Sequence, residues 1–203
     1  MSKAIFEQNT FGLFFYQDEI LANENDNFII PITKFYTDKL PENFNQNAYF
    51  LGVFNQKHLY AIDIKSENFS KNTEFHFHPI RKILTTLTTE LSHLICLGKQ
   101  LLHWHQVSQF CGACGEINAP SQTEIAKICN QCKKIHYPYY HPAVIVLIQR
   151  KNEILLARSP HFRPGLYSPL AGFIAPAETA EQAVVREVYE EVQLKIKDIQ
   201  YFG

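Results

Sequence analysis

The chain has 203 residues, 19 basic and 20 acidic side chains, and a formal net charge of −1. Its hydrophobic content of 46% is enough for one large or two modest packed domains, and its near-neutral charge argues against a broad nucleic-acid-binding surface. There is no signal-peptide pattern, and the longest apolar run, residues 143–148, is too short to cross a bilayer. We therefore expect a cytoplasmic protein without a membrane segment.

Residues 1–75 carry short aromatic and β-branched runs separated by Asn, Asp and Pro. Examples of these runs are GLFFYQ, NFIIPI, AYFLGVF and HLYAIDI. Such runs are typical of strands, so this region predicts the sheet of an α+β domain. It contains no recognisable catalytic pattern.

Leucines recur at spacings of three and four through residues 80–106 and end at Trp104. This period predicts one helix, or two helices packed end to end. Gly98 would allow close approach of another backbone. Cys96 stands alone in this apolar stretch, and we expect it to be a small buried hydrophobic residue.

Four of the five cysteines form two C-x-x-C pairs with fourteen residues between the pairs, namely Cys111, Cys114, Cys129 and Cys132. This spacing predicts a tetrahedral structural Zn²⁺ site in a small ribbon. The intervening QTEIAKI segment is expected to form a strand. With four thiolates available, His103 and His105 are expected to be surface or capping residues. A redox or disulfide arrangement of the cysteines is the alternative.

After a proline-rich stretch, Ala143–Ile148 predicts a buried strand. Lys151 and Asn152 predict a turn, and residues 154–157 predict the hairpin partner of that strand. Residues 158–169 are expected to form a loop.

Residues 172–194 read GFIAPAETAEQAVVREVYEEVQL and predict a strongly acidic helix. Glu187, Glu190 and Glu191 fall within one arc of roughly 100° on that helix. Carboxylates this close repel one another unless a cation binds them, and Mg²⁺ or Mn²⁺ prefers such oxygen ligands. The alternative is a solvated acidic face, against which the fixed offsets of Gly172 and Glu178 argue.

The same segment indicates how its helix is anchored. Thr179 and Gln182 have the spacing of a capping box at the N-terminus. Arg186 lies four residues before Glu190 and can orient it. The valines are expected to pack on a sheet, and a strand-like segment is expected to follow the helix; these residues are Val185, Val188, Val192, Leu194, Ile196 and Ile199.

The segment resembles the Nudix box, G-x5-E-x7-R-E-U-x-E-E-x-G-U, in which U is a bulky aliphatic residue. The matching residues are Gly172, Glu178, Arg186, Glu187, Val188, Glu190, Glu191 and Leu194. Gln193 stands where the box has its second glycine, which normally closes the helix in a left-handed turn. Gln193 would have to adopt that turn at a cost of about 1 kcal/mol.

With the cysteine ribbon ahead of it, the box resembles that of the bacterial NADH pyrophosphatases, which also remove the NAD cap from RNA. The resemblance is good over residues 80–203 and loose before them. It implies an α+β fold in three parts: an N-terminal α+β domain (1–106), a Cys₄ zinc ribbon (107–137) and the first part of a Nudix α/β/α sandwich (138–203).

The resemblance also implies site residues. The Ala171 carbonyl, Glu187, Glu190 and Glu191 would hold catalytic Mg²⁺ or Mn²⁺, and the three glutamates would be the catalytic residues. Gly172, Glu178 and Arg186 would shape the box. The residues expected to contact substrate are Arg81, Glu124 and Tyr137.

The reaction implied is metal-dependent hydrolysis of the pyrophosphate of NAD(H), or of NAD-capped RNA, to AMP and nicotinamide mononucleotide, by a homodimer. Two alternatives remain: a Nudix hydrolase for another nucleoside diphosphate derivative, and a non-catalytic zinc-ribbon module that binds dinucleotides or RNA. In this family the chain continues beyond a Tyr-Phe-Gly-like segment into S-Q-P-W-P-F-P-x-S, whereas this sequence ends at Tyr201-Phe202-Gly203. We therefore expect an incomplete Nudix sheet.

Overall fold

The computed structural model describes residues 10–23, 25, 27–34, 48–64 and 74–202. Chain contacts divide it into unit 1, Met1–Pro138, and unit 2, Tyr139–Gly203. Strands and helices occur in both units, which confirms the predicted α+β class. The predicted three-part division, with boundaries after residues 106 and 137, stays a prediction. Parts of the region 1–75 lie outside the described residues.

Unit 1 contains a six-stranded sheet in the described residues, in the order β4-β5-β1-β2-β6 with β3 beside β1. Strands β1 and β5 are parallel, and the other neighbours are antiparallel. The four quoted runs supply four of these strands: β1 (Thr10–Tyr16), β3 (Ile30–Pro31), β4 (Ala48–Phe54) and β5 (Lys57–Asp63). The other two strands are β2 (Glu19–Asn23) and β6 (Phe75–Pro79).

The sheet is buried on both faces because its apolar residues alternate between two cores. Leu13 and Phe15 of β1 enter one core, and Phe14 between them enters the other. Successive side chains of a strand point to opposite faces, so a continuous apolar run such as GLFFY serves both. The sheet therefore packs against other elements on both faces.

Two helices follow the sheet, as predicted: α1 (Ile80–Ile83) and α2 (Thr89–Val107). Gly98 is buried, and an added Cβ would lie 3.0 Å from Cβ of Ala61 on β5, so this glycine allows the predicted close approach. Cys96 is exposed, and the prediction that it is buried was wrong, because Ile95 and Gly98 occupy the buried face. No helix in the described residues is long and apolar enough to span a bilayer.

The cysteine ribbon of unit 1 is a three-stranded sheet of β7 (Asn118–Pro120), β8 (Lys127–Cys129) and β9 (Ile135–His136). The QTEIAKI segment was predicted to be a strand, but only its last two residues enter β8. The rest forms bends.

Unit 2 contains two short antiparallel pairs, β10 with β13 and β11 with β12, and one helix. Its elements are β10 (Ala143–Val146), β11 (Ile148–Arg150), β12 (Glu153–Leu155), β13 (Leu170–Phe173) and α3 (Ala180–Val192). The turn at Lys151 is confirmed. The prediction of one buried strand over residues 143–148 was wrong, because the chain changes partner after Val146 and Ile145 is 76% exposed.

Helix α3 begins with the predicted capping box, in which Thr179 and Gln182 bond each other's backbone N–H. Val188 and Val192 pack as predicted, but Val185 is exposed and Val184, four residues before Val188, takes its place. Gln193 ends the helix in the left-handed conformation, with φ 56° and ψ 27°. Residues 194–202 form no strand, so the predicted strand at Leu194–Ile199 was wrong.

Candidate functional site

The four predicted cysteines come together in the ribbon. Their Sγ atoms all lie within 4.8 Å of one another, with 3.6 Å between Cys111 and Cys132 and 3.4 Å between Cys114 and Cys129. A tetrahedral zinc site with Zn–S bonds of about 2.3 Å has sulfurs about 3.8 Å apart, so the donor set fits Zn²⁺. A disulfide needs about 2.05 Å, and these two pairs are not bonded in that way.

The two turns that carry the cysteines are shaped by residues in the left-handed conformation, and the first turn also favours the thiolate of Cys111. Gly115 and Lys133 adopt positive φ values of 78° and 61°, which fold each turn back on itself. The backbone N–H of Ala113 donates to Cys111 Sγ at 3.4 Å, and this bond holds the pKa of that thiol below its ordinary value. A lowered pKa favours the thiolate, the form that binds metal.

The ribbon is attached to helix α2 by a buried lysine that sequence reasoning missed. Lys127 is 2% exposed, and its Nζ donates to the His105 carbonyl at 2.7 Å and lies 5.5 Å from the centre of the Trp104 ring. Burial lowers the pKa of Lys127 to about 8. The sequence did contain a signal for the burial of Lys127. It lies two residues before Cys129 in β8, so both side chains point to the same, buried face of the strand.

Two of the three predicted substrate residues meet at the ribbon. The Tyr137 hydroxyl donates to Glu124 Oε1 at 3.2 Å, and this bond raises the pKa of the phenol. Both side chains are exposed and so can reach a ligand. Arg81 is exposed on α1, and no hydrogen bond or ion pair between the described residues joins it to the other two.

In the box, Arg186 connects all the elements predicted to shape the site. Its guanidinium donates to both Glu178 carboxylate oxygens at 2.8 Å, to Glu187 Oε1 at 2.8 Å and to Glu190 Oε2 at 3.1 Å. It also donates to the Phe173 carbonyl at the end of β13, again at 2.8 Å. The planar guanidinium of Arg186 thus joins α3, the loop that precedes it and β13.

Glu178 is the main partner of Arg186. Its hydrogen bonds from Arg186, and then one from the Ala175 backbone N–H at 2.9 Å, lower the pKa of Glu178 to about 2. In turn, Glu178 first and Glu187 second raise the pKa of Arg186. Both groups are therefore charged across the physiological range, which suits a structural role for the pair.

Gly172 is needed because the Glu187 carboxyl group occupies the space of a side chain there. A Cβ added at Gly172 would lie 1.8 Å from Glu187 Cδ. The Glu187 side chain is 13% exposed, and its carboxylate is held against Gly172 on β13. Gly172 directly follows Ala171 in that strand. The structure thus brings Glu187 to the strand that supplies the predicted carbonyl ligand.

The three box glutamates are placed differently from one another. The Glu190 side chain is 56% exposed, and Glu191 is exposed. In the part of the chain that the structure describes, only the cysteine cluster gathers three or more potential ligand atoms. Arg186 instead donates hydrogen bonds to Glu187 and Glu190, and its single positive charge offsets only part of their charge. The carboxylate and carbonyl oxygens are the hard donors that Mg²⁺ or Mn²⁺ prefers, so the donor types fit, and the metal roles stay predictions.

Three known domain families match the chain in sequence. Residues 139–203 match the NUDIX domain, residues 108–137 match the NADH pyrophosphatase zinc ribbon domain, and residues 11–104 match the NADH pyrophosphatase-like rudimentary NUDIX domain. The chain carries a Nudix domain. The third match was not anticipated from the sequence, where residues 1–75 indicated only an α+β domain.

Several proteins similar to this chain carry the name NAD-capped RNA hydrolase NudC. The protein of Chromobacterium violaceum is 37% identical over 152 residues, which are 75% of this chain and 57% of the relative. Those of Pseudomonas entomophila and Pseudomonas fluorescens are 35% identical over 153 residues and 47% identical over 104 residues, covering 55% and 38% of their own lengths. The chain thus spans about half the length of the curated relatives it matches.

Proposed function

We propose that the protein hydrolyses the pyrophosphate bond of NAD(H), free or as the 5′ cap of RNA, to AMP and nicotinamide mononucleotide. The observation that carries this proposal is the Nudix box, in which Arg186 fixes Glu178, Glu187 and Glu190 and Glu187 lies against Gly172. The zinc ribbon and the name shared by the relatives support the choice of substrate.

The catalytic metal is proposed to be Mg²⁺ or Mn²⁺, held by the Ala171 carbonyl, Glu187, Glu190 and Glu191. A divalent cation there would neutralise phosphate charge and make a bound water acidic enough to supply the nucleophile. Glu190 and Glu191 are exposed on the helix and accessible to such an ion.

The protein's own groups supply position and proton transfer. Glu178 and Arg186 hold the helix on β13 and orient Glu187 and Glu190. A box glutamate accepts a proton from the water while the water oxygen attacks phosphorus. The bond from phosphorus to the bridging oxygen breaks, and that oxygen leaves with the other nucleotide. In the ribbon, Tyr137 and Glu124 offer an aromatic ring and a carboxylate to the dinucleotide.

The decisive experiment measures NADH hydrolysis by the 203-residue protein with Mg²⁺ or Mn²⁺. Glu190→Gln and Glu191→Gln should each lower kcat by about 10²- to 10⁴-fold, since each removes a ligand or a base. Glu153→Gln is the matched control, because the Glu153 side chain pairs with Arg150 in an exposed hairpin away from the box. Unchanged turnover in both helix variants would overturn the assignment of these residues.

One observation favours a second candidate, a module that binds dinucleotides or capped RNA without cleaving them. Glu191 is exposed, and among the described residues no three box carboxylates lie close enough together to bind one ion. Any metal-dependent release of AMP from NADH above the rate of the Glu190→Gln variant rejects this candidate. Comparing NADH with ADP-ribose and diadenosine polyphosphates tests the other alternative, a Nudix hydrolase for a different nucleoside diphosphate derivative.

The homodimer and the cytoplasmic location stay part of the proposal. Sedimentation equilibrium of the purified chain would test the dimer directly, since a single chain of 23.5 kDa is easily distinguished from a pair.

A further inference from the structure

The loop between β12 and β13 in unit 2 is closed by its own hydrogen bonds. Ala157 and Ser168 exchange two backbone hydrogen bonds, both at 2.9 Å, which join the two ends of the loop. Gly165 has a φ of 80°, a left-handed conformation that turns the second half of the loop back toward β13. Residues 158–167, called the arginine loop, therefore form a compact surface loop of the kind that often carries function.

The arginine loop carries cations and no carboxylate. Arg158, His161 and Arg163 are all exposed. The Arg158 guanidinium donates to the Phe162 carbonyl at 3.1 Å, which places it against the backbone that leads into Arg163. No carboxylate of the described residues forms an ion pair with either arginine. The loop thus presents two positive charges that the described structure does not offset, and it can bind an anion from outside.

Charge is segregated along the sequence of unit 2. Residues 139–170 carry four basic side chains and one acidic one, whereas residues 171–203 carry six acidic and three basic ones. The single acidic residue of the first segment, Glu153, pairs with Arg150 at 2.8 Å in the hairpin. The segment before the box therefore attracts anions, whereas the box itself repels them unless a metal ion is bound there.

The arginine loop also exposes an aromatic ring. Tyr167 is 57% exposed, and its neighbour Leu166 is 39% exposed. Proteins that bind single-stranded nucleic acid combine cations for the phosphates with aromatic rings on which bases stack. A single-stranded RNA uses both features of the loop, whereas a lone phosphate or an acidic peptide uses only its charge.

The arginine loop leads directly into the strand of the proposed metal site. Ser168 follows the loop and lies three residues before Ala171, and three residues of extended chain cover roughly 10 Å. In RNA that carries an NAD cap, the chain continues from the adenosine, so the next phosphodiesters lie one and two nucleotides from the pyrophosphate. A loop at this distance suits those phosphodiesters better than the pyrophosphate itself.

We propose that the arginine loop binds the RNA chain that follows the NAD cap. Arg158 and Arg163 contact its phosphodiesters, and the Tyr167 ring stacks on a base. The inference rests on the proposed function and extends it, because it assigns to capped RNA a contact that free NAD(H) does not make. The net charge of −1 agrees with a contact that is confined to one loop and depends partly on stacking.

Fluorescence anisotropy of a labelled RNA tests the proposal without any hydrolysis. The probe is a single strand of about ten nucleotides with a 5′-hydroxyl end, titrated in EDTA at about 0.05 to 0.2 M salt. Arg163→Gln should weaken binding about tenfold at the lowest salt. It should also reduce the slope of the logarithm of the association constant against the logarithm of the salt concentration by about 0.7, because one phosphate contact is lost. Arg163→Lys should keep the wild-type slope, since it keeps the charge.

Three more variants separate charge from stacking. Arg158→Gln should reduce the slope as Arg163→Gln does, whereas Tyr167→Ala should weaken binding by at least about fivefold with an unchanged slope, because stacking releases no counterion. Arg150→Gln is the matched control, since it removes an equal charge from unit 2 at a residue already paired with Glu153. It should bind the RNA like the wild type, and circular dichroism should show the same fold for all variants.

A second arm compares NADH with the same RNA carrying an NAD cap, both in the presence of Mg²⁺. Arg163→Gln should raise KM for the capped RNA about tenfold and leave KM for NADH unchanged. An equal rise for NADH would place the loop at the dinucleotide phosphates and overturn the proposal. Equal salt slopes for Arg163→Gln and Arg150→Gln, or equally strong binding of polyglutamate of the same charge, would also overturn it. The expected RNA binding in a protein that does not hydrolyse NADH would support the arginine loop and refute the proposed hydrolase alone.

Discussion

At the residue scale, Arg186 organises the box. Its contacts reach Glu178 before the helix, Glu187 and Glu190 on it, and the Phe173 carbonyl on β13. A lysine ammonium is a point charge that could not bond these groups in their separate directions. The spacing of Arg186 from Glu190 could be predicted along one helix, but the bonds to Phe173 and Glu178 depend on how the strand and loop pack.

The Glu178–Arg186 pair predicts an acid-dependent loss of stability. The pKa of Glu178 is lowered to about 2 in the folded protein, from 4.5 as an ordinary value. The ionised carboxylate therefore stabilises the fold above about pH 4.5, and this contribution is lost as the pH falls toward 2. The urea midpoint of wild type should fall more steeply over that window than that of Glu178→Gln. Glu153→Gln is the control and should behave like the wild type. The prediction is contradicted if the urea midpoint of the wild type falls with pH no more steeply than that of Glu178→Gln.

Gly172→Ala should disrupt the proposed metal site. The new Cβ would lie 1.8 Å from Glu187 Cδ, so the carboxyl group must leave β13. We expect Mn²⁺ affinity, followed by electron paramagnetic resonance, to fall by at least about tenfold, as for the loss of a ligand or of its support. Gly112→Ala is the control, since no atom lies within 4 Å of its added Cβ. Wild-type Mn²⁺ affinity in Gly172→Ala would show that Glu187 is not a ligand.

At the scale of elements, the sequence predicted caps, turns and helices correctly, whereas it did not predict which segments pair as strands. The capping box of α3, the turn at Lys151 and the two helices of residues 80–107 depend on neighbours within four residues, and all are confirmed. The strand expected at Leu194–Ile199 is absent, because a strand requires hydrogen bonds to a distant segment that periodicity cannot identify. The exposure of Ile145 and Cys96 likewise depends on what packs opposite them.

The end of α3 gives a prediction about stability. Gln193 closes the helix at φ 56°, a conformation that glycine adopts without steric cost. Gln193→Gly should raise the free energy of unfolding by about 0.5–1 kcal/mol, measured by urea denaturation. Gln193→Ala is the matched comparison, since it keeps the strain and loses the side-chain bond to the Tyr189 carbonyl, so it should be less stable than wild type. A less stable glycine variant would show that this bond outweighs the strain.

At the scale of the whole molecule, the cysteine spacing predicted the zinc ribbon well, because four ligands on two tight turns permit few arrangements. It did not predict how the ribbon joins the rest of unit 1. That attachment uses Lys127, whose buried ammonium bonds the His105 carbonyl in the last turn of α2. A cation is favoured at that position by the helix dipole, but a lysine in a strand gives no sequence signal of such a partner.

This attachment makes Trp104 a reporter of the zinc site. Trp104 is the only tryptophan of the chain, is 3% exposed and lies beside Lys127, two residues before the ligand Cys129. Chelation of zinc should unfold the ribbon, expose the indole to water and shift its fluorescence to longer wavelength, because structural zinc supplies the folding energy of such ribbons. Thiol titration in parallel should count one reactive thiol before chelation, the exposed Cys96, and all five afterwards. Cys96→Ser should show the same fluorescence shift and one thiol fewer in each state. Five reactive thiols before chelation, or an unshifted emission after it, would contradict a zinc-stabilised ribbon packed on α2.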